Sequence, residues 1–563
     1  MKNITNEKTE RGIFLPVFMI ICFFSVGLFH NSAVYTAGVV LCIYLIASVV
    51  KKGGFRLYIN LSSVAVAVLA ASYLLSCLWA VDGGGAFLGF LRYCVLLLFA
   101  LAVMQVKKCV RESVFLIFAY SAVGMTVVSA VLMQFDATDN LFSVAGRLSG
   151  FLQYPNTFAV LLLCAMLIIL TKEKIMHFEY AMLAVLLFGI LYSGSRIVFA
   201  LTVVLVIAAV FTRPGKKVKV VLSISLLLAV VAAVAYGAVS GNIYNLARFL
   251  TIDLAESTFV GRILYWIDAL PLLLRYPFGM GYLGYYYVHT SIQSGVYYLS
   301  YVHNDFLQLM LEVGIVPAGL FVAAIVKSFF RKGAGKRNRF LILALCAHSF
   351  FDFDMQFVFV LFILLMCLEL DGGKAINISG ANIALSCVSG ALGILLLYFT
   401  VSQTAYYTGN PKLAYAMHKS DTQAALNLLV NEDDPEEMYR LAEEILSRNE
   451  YSYLANSAMG NCYFSQGDVP SAMEYKREAI RLAPFEYDEY EQYCEMLVYC
   501  YDAYKSMGDE ASAEYIKNEL ASVVGLLEES EERLSPLGKK IKDQPKSSLS
   551  GEISLYVKEI LGK

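Results

Sequence analysis

The sequence predicts an all-α polytopic membrane helical bundle of about 12–13 spans, followed by a soluble α-helical repeat domain. Three observations predict it. Of 563 residues, 58% are hydrophobic and only 16% are charged, whereas soluble domains carry about 25% charge. Long apolar runs alternate with loops that are basic at every second position along the chain. Past about Gly409 the composition turns to the Ala, Glu, Leu, Tyr and Lys of soluble helix.

Crossing a hydrocarbon core of about 30 Å takes about 20 apolar residues as helix. Helix is the default there because the backbone must satisfy its own hydrogen bonds. Lys2, Lys8 and Arg11 precede the first run, 12–30, which lacks a small-residue cleavage site and reads as a retained span. Further spans are expected at 32–50, 58–80, 86–105, 112–134, 155–171, 178–194, 196–212, 218–239, 305–328 and 380–403. The run 339–370 is long for one span and carries His348, Asp352 and Asp354 in its middle. Carboxylates at the bilayer centre are costly. Two short spans meeting at an outer turn near Phe353 therefore fit better, which makes 13 spans. One long helix would make 12 and put the C-terminal domain in the cytoplasm.

The loops orient the spans. Lys51, Lys52 and Arg56 follow the second span, Lys107, Lys108 and Arg111 the fourth, and Lys172 and Lys174 the sixth. Arg213, Lys216, Lys217 and Lys219 follow the eighth, and Lys327, Arg331, Lys332, Lys336, Arg337 and Arg339 the tenth. The intervening loops are nearly bare of Lys and Arg. By the positive-inside rule the basic loops and the N-terminus are cytoplasmic. Two segments on the other face are large enough for chemistry, about 135–154 and a Tyr- and Gly-rich loop at about 240–304; loops this long inside a compact bundle are usually functional. The net charge of −2 gives no global field for nucleic acid. The twelve cysteines include no C-x-x-C pair, so neither a zinc nor a redox motif is suggested.

The membrane domain is expected over 1–405, helical repeats over 410–530 and a flexible tail over 531–563. Tyr463, Gly467, Asp468 and Ala472 are matched by Tyr504, Gly508, Asp509 and Ala513 about 41 residues on. The pattern resembles the tetratricopeptide repeat, with small residues where two helices cross and Gly-Asp at the turn. The offset exceeds the usual 34, which points to a longer first helix in the second copy. A plain helical domain is the alternative. Either way the segment reads as an interaction surface for a protein partner. Ser535, Pro536, Gly538 and Pro545 read as a flexible link, with a short amphipathic helix after it.

Polar residues near the outer face are few. They are Arg147; Asn156, after Pro155; Arg196, closing Ser193-Gly194-Ser195-Arg196; Arg262; and the Gly-rich turn Pro277-Phe278-Gly279-Met280-Gly281. His303-Asn304-Asp305 follows, with Gln308, Glu312 and Gly314 running on, and then His348, Asp352 and Asp354. Arginine binds phosphate oxygens bidentately and stays charged when desolvated, so three of them suit a diphosphate. A histidine can take a proton from an attacking hydroxyl near neutral pH. Plainer roles exist for each: snorkelling for Arg147, a topology anchor for Arg196, and a helix-cap neighbourhood for His303 and Asn304. His348 with Asp352 can be a structural i,i+4 pair, and the tyrosines an aromatic belt. His30, His177, His289 and His418 read as structural. No carboxylate cluster has metal-ligand spacing.

In this order the residues resemble the O-antigen ligase and polymerase family, over about 140–370. The most specific part is His303-Asn304-Asp305-x-x-Gln308-x-x-x-Glu312-x-Gly314 after a long loop. The resemblance implies a GT-C-like bundle and a metal-independent glycosyltransferase without cofactor. Its donor would be a glycan on undecaprenyl diphosphate, and its acceptor a hydroxyl of a glycan, lipid or protein, outside the cytoplasmic membrane. By motif, the family's catalytic arginines and histidine fall on Arg196, Arg262 and His303. Arg147, Asn156, Asn304, Gln308, Glu312, His348 and Asp352 are the candidate substrate-binding residues. A transporter or flippase of lipid-linked glycan would use the same basic groove. It would more often show charges inside spans and internal repeats.

Overall fold

The computed structural model describes residues 12–562, except 53, 214, 216–218, 239–256, 381, 542–547 and scattered positions between 221 and 236. The expected span 218–239 therefore lies mostly outside the described residues, as do the first part of the long loop, Lys2, Lys8, Arg11, Lys216, Lys217 and Pro545. The protein is an all-α polytopic membrane protein with a few short strands.

In chain order the main helices before the C-terminal segment are α1 (Phe14–Phe24), α2 (Asn31–Lys52), α3 (Leu61–Ser76), α4 (Gly83–Met104), α5 (Lys108–Leu132), α6 (Pro155–Leu170), α7 (His177–Ser193) and α8 (Arg196–Phe211). They continue with α9 (Ser257–Ala269), α10 (Gly284–Ile292), α11 (Asp305–Val313), α12 (Ile315–Phe330), α13 (Lys336–Ser349), α14 (Val358–Cys367) and α15 (Asn382–Tyr407). Four of these, α2, α4, α5 and α15, are long and apolar enough to cross a membrane unaided. Every residue of α6 except Asn156 is buried, as is every residue of α14. A helix apolar on all sides belongs in the interior, so these two form the axis of the bundle.

Two expectations about continuous helices need correcting. The run 305–328 is not one span but two helices, α11 and α12, parted at Gly314 with φ +87°. The Gly-rich turn causes the break. Met280 N–H donates to the Leu311 carbonyl at 2.7 Å and Gly281 N–H to the Glu312 carbonyl at 2.9 Å, taking up acceptors at the helix end. A Cβ on Gly279 would lie 2.4 Å from the Glu312 oxygen, and one on Gly314 would lie 2.7 Å from the Pro277 oxygen. The first run also breaks: α1 ends at Phe24, and Val26, Gly27 and Leu28 are all left-handed. The run 339–370 does turn where its polar residues stand, between the end of α13 at Ser349 and the start of α14 at Val358.

A two-stranded antiparallel ribbon pairs β1 (Gly54–Ile59) with Lys374–Ser379, in the register Gly54↔Ser379 to Ile59↔Lys374. The loops after α2 and after α14 therefore meet at one end of the bundle. At this end Arg111 pairs with Asp371, Arg337 with Glu112 and Arg331 with Glu369. The long basic loops thus carry their own acidic partners.

The C-terminal helices are α16 (Pro411–Met417), α17 (Thr422–Val430), α18 (Pro435–Leu446), α19 (Tyr453–Ser465), α20 (Val469–Leu482), α21 (Tyr487–Met507), α22 (Glu510–Glu532) and α23 (Gly551–Leu561). The two matched turns share one geometry. Asp468 N–H donates to Tyr463 O at 3.0 Å and Asp509 N–H to Tyr504 O at 3.0 Å, with Gly467 and Gly508 left-handed. The 21 residues of α21, against 13 in α19, absorb the long offset. These helices pack on the end of the bundle away from the β1 ribbon. Asn449 Nδ2 donates to Asp82 Oδ2 at 3.3 Å, and Arg275 Nη2 to the Tyr451 hydroxyl at 2.8 Å. The segment read as a flexible link is fastened at its start, where Ser535 N–H donates to Ser294 O at 2.9 Å and Gly538 meets Gly295.

Candidate active site

The candidate residues collect where helices begin and end. Arg147 is set by a tight hairpin of β2 (Ser143–Val144) and β3 (Arg147–Leu148), whose turn residues Ala145 and Gly146 both have positive φ. This is the primed turn that suits a twisted two-residue hairpin. Arg147 Nε donates to the Ser193 carbonyl at 2.7 Å, and its Nη2 to Asn156 Oδ1 at 2.6 Å. The Ser193 carbonyl belongs to the last residue of α7, which Gly194 terminates in the left-handed conformation. A Cβ on Gly194 would sit 3.3 Å from Arg147 Nε, so glycine serves both the turn and the approach of the guanidinium. Arg196 is the first residue of α8, two positions on, and is half-buried.

Asn156 is the second residue of α6, after Pro155 at the position where a missing N–H is harmless. Its Nδ2 donates to Asp352 Oδ2 at 2.8 Å. Asp352 is fully buried and gathers three more donors: the Tyr154 hydroxyl on Oδ1 at 2.7 Å, its neighbour Phe353 N–H on Oδ1 at 3.0 Å, and Arg262 Nη2 on Oδ2 at 3.1 Å. The result is a continuous run, Arg147–Asn156–Asp352–Arg262, joining four parts of the chain. Burial alone would raise the Asp352 pKa. Arg262, then His303 and His348, and the Tyr154 hydroxyl outweigh it and hold the carboxyl at about 2.

His303 lies beside this run. Its ring meets Phe353 edge-on at 5.0 Å and Tyr265 at 5.9 Å. Its backbone is left-handed, with φ +53°. In a non-glycine residue that is strain, of the kind that gathers at functional sites. What holds it is local. Trp266 Nε1 donates to the His303 carbonyl at 3.3 Å, and Asn304 Oδ1 accepts from Phe306 and Leu307 N–H to cap α11. Nδ1 lies 3.1 Å from the Tyr301 carbonyl, so the neutral ring carries its proton there and its lone pair on Nε2. Burial lowers the His303 pKa, Asp352 pulls it up and Arg262 lowers it again; the net result is below the ordinary value.

His348 and Asp352 do not form the expected i,i+4 pair. α13 ends at Ser349, so helical spacing does not carry on to Asp352. His348 Nδ1 instead meets Asp354 Oδ2 at 2.6 Å, and Asp354 Oδ1 accepts from the Thr157 hydroxyl at 2.7 Å. Gln308 and Glu312 pair with each other and with neighbouring elements. Gln308 Nε2 donates to Glu312 Oε1 at 2.7 Å, Gln308 Oε1 accepts from Val302 N–H at 3.0 Å, and Glu312 also accepts from the Tyr73 hydroxyl.

The structure thus joins Arg147, Asn156, Asp352 and Arg262 directly, sets His303 beside them and places Arg196 on the adjoining turn. The sequence reading gave Tyr154 no role and passed over Thr157 and Arg92. Arg92 is buried in α4, with Nη1 on Phe29 O at 3.0 Å and Asn31 Oδ1 at 2.8 Å and Nη2 on Gln356 O. It ties the α1–α2 junction to the turn that holds Asp352. The signal was available, since a lone arginine inside an apolar run is a functional candidate by default. Among the described residues, no group of three or more His, Cys, Asp and Glu side chains is placed to hold a metal ion.

Residues 181–322 match the family model described as O-Antigen ligase. The matched segment includes Arg196, Arg262, His303, Asn304, Gln308 and Glu312. Arg147, Asn156, His348 and Asp352 lie outside it, yet three of these four meet it through the Asp352 network. No curated protein matches the chain. The match supports the O-antigen ligase family and, with it, a ligase- or polymerase-like glycosyltransferase acting on glycans at a membrane.

Proposed function

We propose that the protein transfers a glycan from undecaprenyl diphosphate to a hydroxyl acceptor on the extracytoplasmic face of the membrane, as a ligase or polymerase of surface polysaccharide. One observation carries the reading: the run Arg147–Asn156–Asp352–Arg262, built on the buried Asp352, with the strained His303 at its side, at the end of the bundle opposite the basic loops. That end also gathers the N-termini of α6, α8 and α11, whose dipoles favour an anion. If the basic loops face the cytoplasm, this end and the C-terminal helices packed on it are outside.

The residues divide the work as follows. The prenyl chain lies in lipid between helices. The donor diphosphate engages Arg147, Arg196 and Arg262, with its oxygens competing against Asp352 for Arg262. His303 is neutral, and its Nε2 takes the proton as the acceptor oxygen bonds to the anomeric carbon. The bond from that carbon to the diphosphate oxygen breaks with inversion, and the guanidinium groups and helix N-termini stabilise the charge that collects on the leaving group. Asn304, Gln308 and Glu312 set the backbone of the His303 loop; His348 and Asp354 fix the turn that presents Asp352. The charge neutralisation a divalent ion would otherwise give comes from the guanidinium groups, and no cofactor is required.

The test is transfer in proteoliposomes loaded with a lipid-linked glycan and hydroxyl acceptors, with and without EDTA, with products read by mass spectrometry. The reading expects a new glycosidic bond under both conditions. Lipid moved across the membrane unchanged would make the protein a flippase. Loss of transfer in EDTA that Mg²⁺ restores would defeat the metal-free mechanism.

A further inference from the structure

The Tyr-rich loop and the C-terminal helices border a half-open cavity of about 260 Å³. On one side are Tyr286 and His289 of α10 and Tyr298 of the loop; on the other are Tyr451 and Tyr453 at the start of α19, with Glu486 between. We propose that this cavity is a subsite for one uncharged pyranose, which, on the transferase reading above, belongs to the acceptor.

Three features support that ligand class. The first is the wall. Tyrosine rings present flat apolar faces with a polar tip, which matches a pyranose, whose ring faces carry C–H bonds and whose rim carries hydroxyls. The second is an unsatisfied acceptor behind the wall. His289 is 3% exposed and its Nδ1 lies 2.8 Å from the Tyr286 carbonyl, while its Nε2 is buried and has no partner. Burial keeps the ring neutral, with a pKa of about 4. A neutral imidazole anchored through Nδ1–H leaves Nε2 as a buried lone pair in need of a donor, and a small shift of the tyrosine wall would let a sugar hydroxyl reach it. Glu486, hydrogen bonded to the Tyr298 hydroxyl, is a second acceptor. The third is the absence of Lys and Arg from the lining, which disfavours a uronic acid. The size also fits: drug-sized ligands occupy about 300–1,000 Å³, so this cavity suits a single ring rather than a chain segment.

The place is right for an acceptor. Ser300, on the cavity wall, is three residues from His303, about 11 Å at full stretch. Ring contacts lead the same way, from His289 to Tyr297 at 6.1 Å, to Tyr265 at 4.5 Å and to His303 at 5.9 Å. A sugar seated here would present its neighbouring unit to the histidine.

The experiment is saturation-transfer NMR on the full chain in detergent. The probes are methyl glycosides of glucose, galactose and N-acetylglucosamine, with methyl glucuronide as the charged control. At least one neutral glycoside should receive saturation and the glucuronide none. The signal should fall about tenfold in Tyr298→Ala and in His289→Phe. Tyr298 is 64% exposed, so its loss spares the core. The His303→Ala variant should bind the glycoside like wild type, which separates this subsite from the transfer reaction. No saturation of any neutral glycoside, equal saturation of the glucuronide, or signals unchanged in both cavity variants would overturn the proposal.

Discussion

Asp352→Asn keeps the shape of the side chain and removes its charge. The native carboxylate is 0% exposed and Arg262 is 16% exposed, so water offers little replacement. Oδ2 accepts from both Asn156 and Arg262, and Oδ1 from Tyr154 and Phe353. An amide has one acceptor atom. With its oxygen toward Tyr154, its nitrogen faces two donors. A hydrogen bond to a charged group contributes about 1.5–3 kcal/mol, which, as lost positioning of Arg262, is about a 10- to 100-fold fall in kcat/KM. A second effect has a definite sign. Asp352 raises the His303 pKa, so the variant lowers it further. Transfer needs neutral His303 and rises with pH through that pKa; the acid limb of the rate profile therefore moves to lower pH. Both are read from initial rates with a defined lipid-linked donor across pH. An unchanged kcat/KM, or an acid limb that moves up, would refute the argument.

His303→Ala should lower transfer by about 10²–10⁴-fold. His303→Gly should be equally inactive yet melt no lower than wild type, because glycine tolerates φ +53° and relieves strain worth about 1–3 kcal/mol; a lower melting temperature for the Gly variant would contradict this. Gly194→Ala should cost about 1–2 kcal/mol for its left-handed φ and displace Arg147, seen as a lower melting temperature and a raised donor KM. For topology, an impermeant maleimide should label Tyr298→Cys in intact cells but reach the exposed Cys109, among the basic loops, only after permeabilisation. The reverse pattern would invert the orientation.

Much of the bundle was legible because apolar runs and basic loops are direct consequences of the bilayer. The turn near Phe353 followed from the cost of burying His348, Asp352 and Asp354 in lipid, and α13 and α14 do part there. The break at Gly314 was hidden because it arises from a distant partner, the Met280–Gly281 turn, that no local pattern announces. The β1 ribbon was hidden for the same reason: its partner strand is more than 300 residues away. For the candidate site, residue types singled out the arginines and His303, since few charged groups stand in the loops between apolar runs that lack Lys and Arg clusters. Pairing was out of reach. Spacing suggested His348 with Asp352, whereas the end of α13 hands His348 to Asp354 and leaves Asp352 to Arg262.

The central claim is that separated guanidinium groups grip the donor diphosphate, and donor binding tests it most directly. Native mass spectrometry in detergent would compare undecaprenyl diphosphate with undecaprenyl monophosphate on wild type and on Arg147→Gln, Arg196→Gln and Arg262→Gln. The account predicts preference for the diphosphate, weakened about tenfold or more by each substitution, since charge-assisted contacts are worth about 1.5–3 kcal/mol. Diphosphate binding that survives all three substitutions undiminished would contradict it.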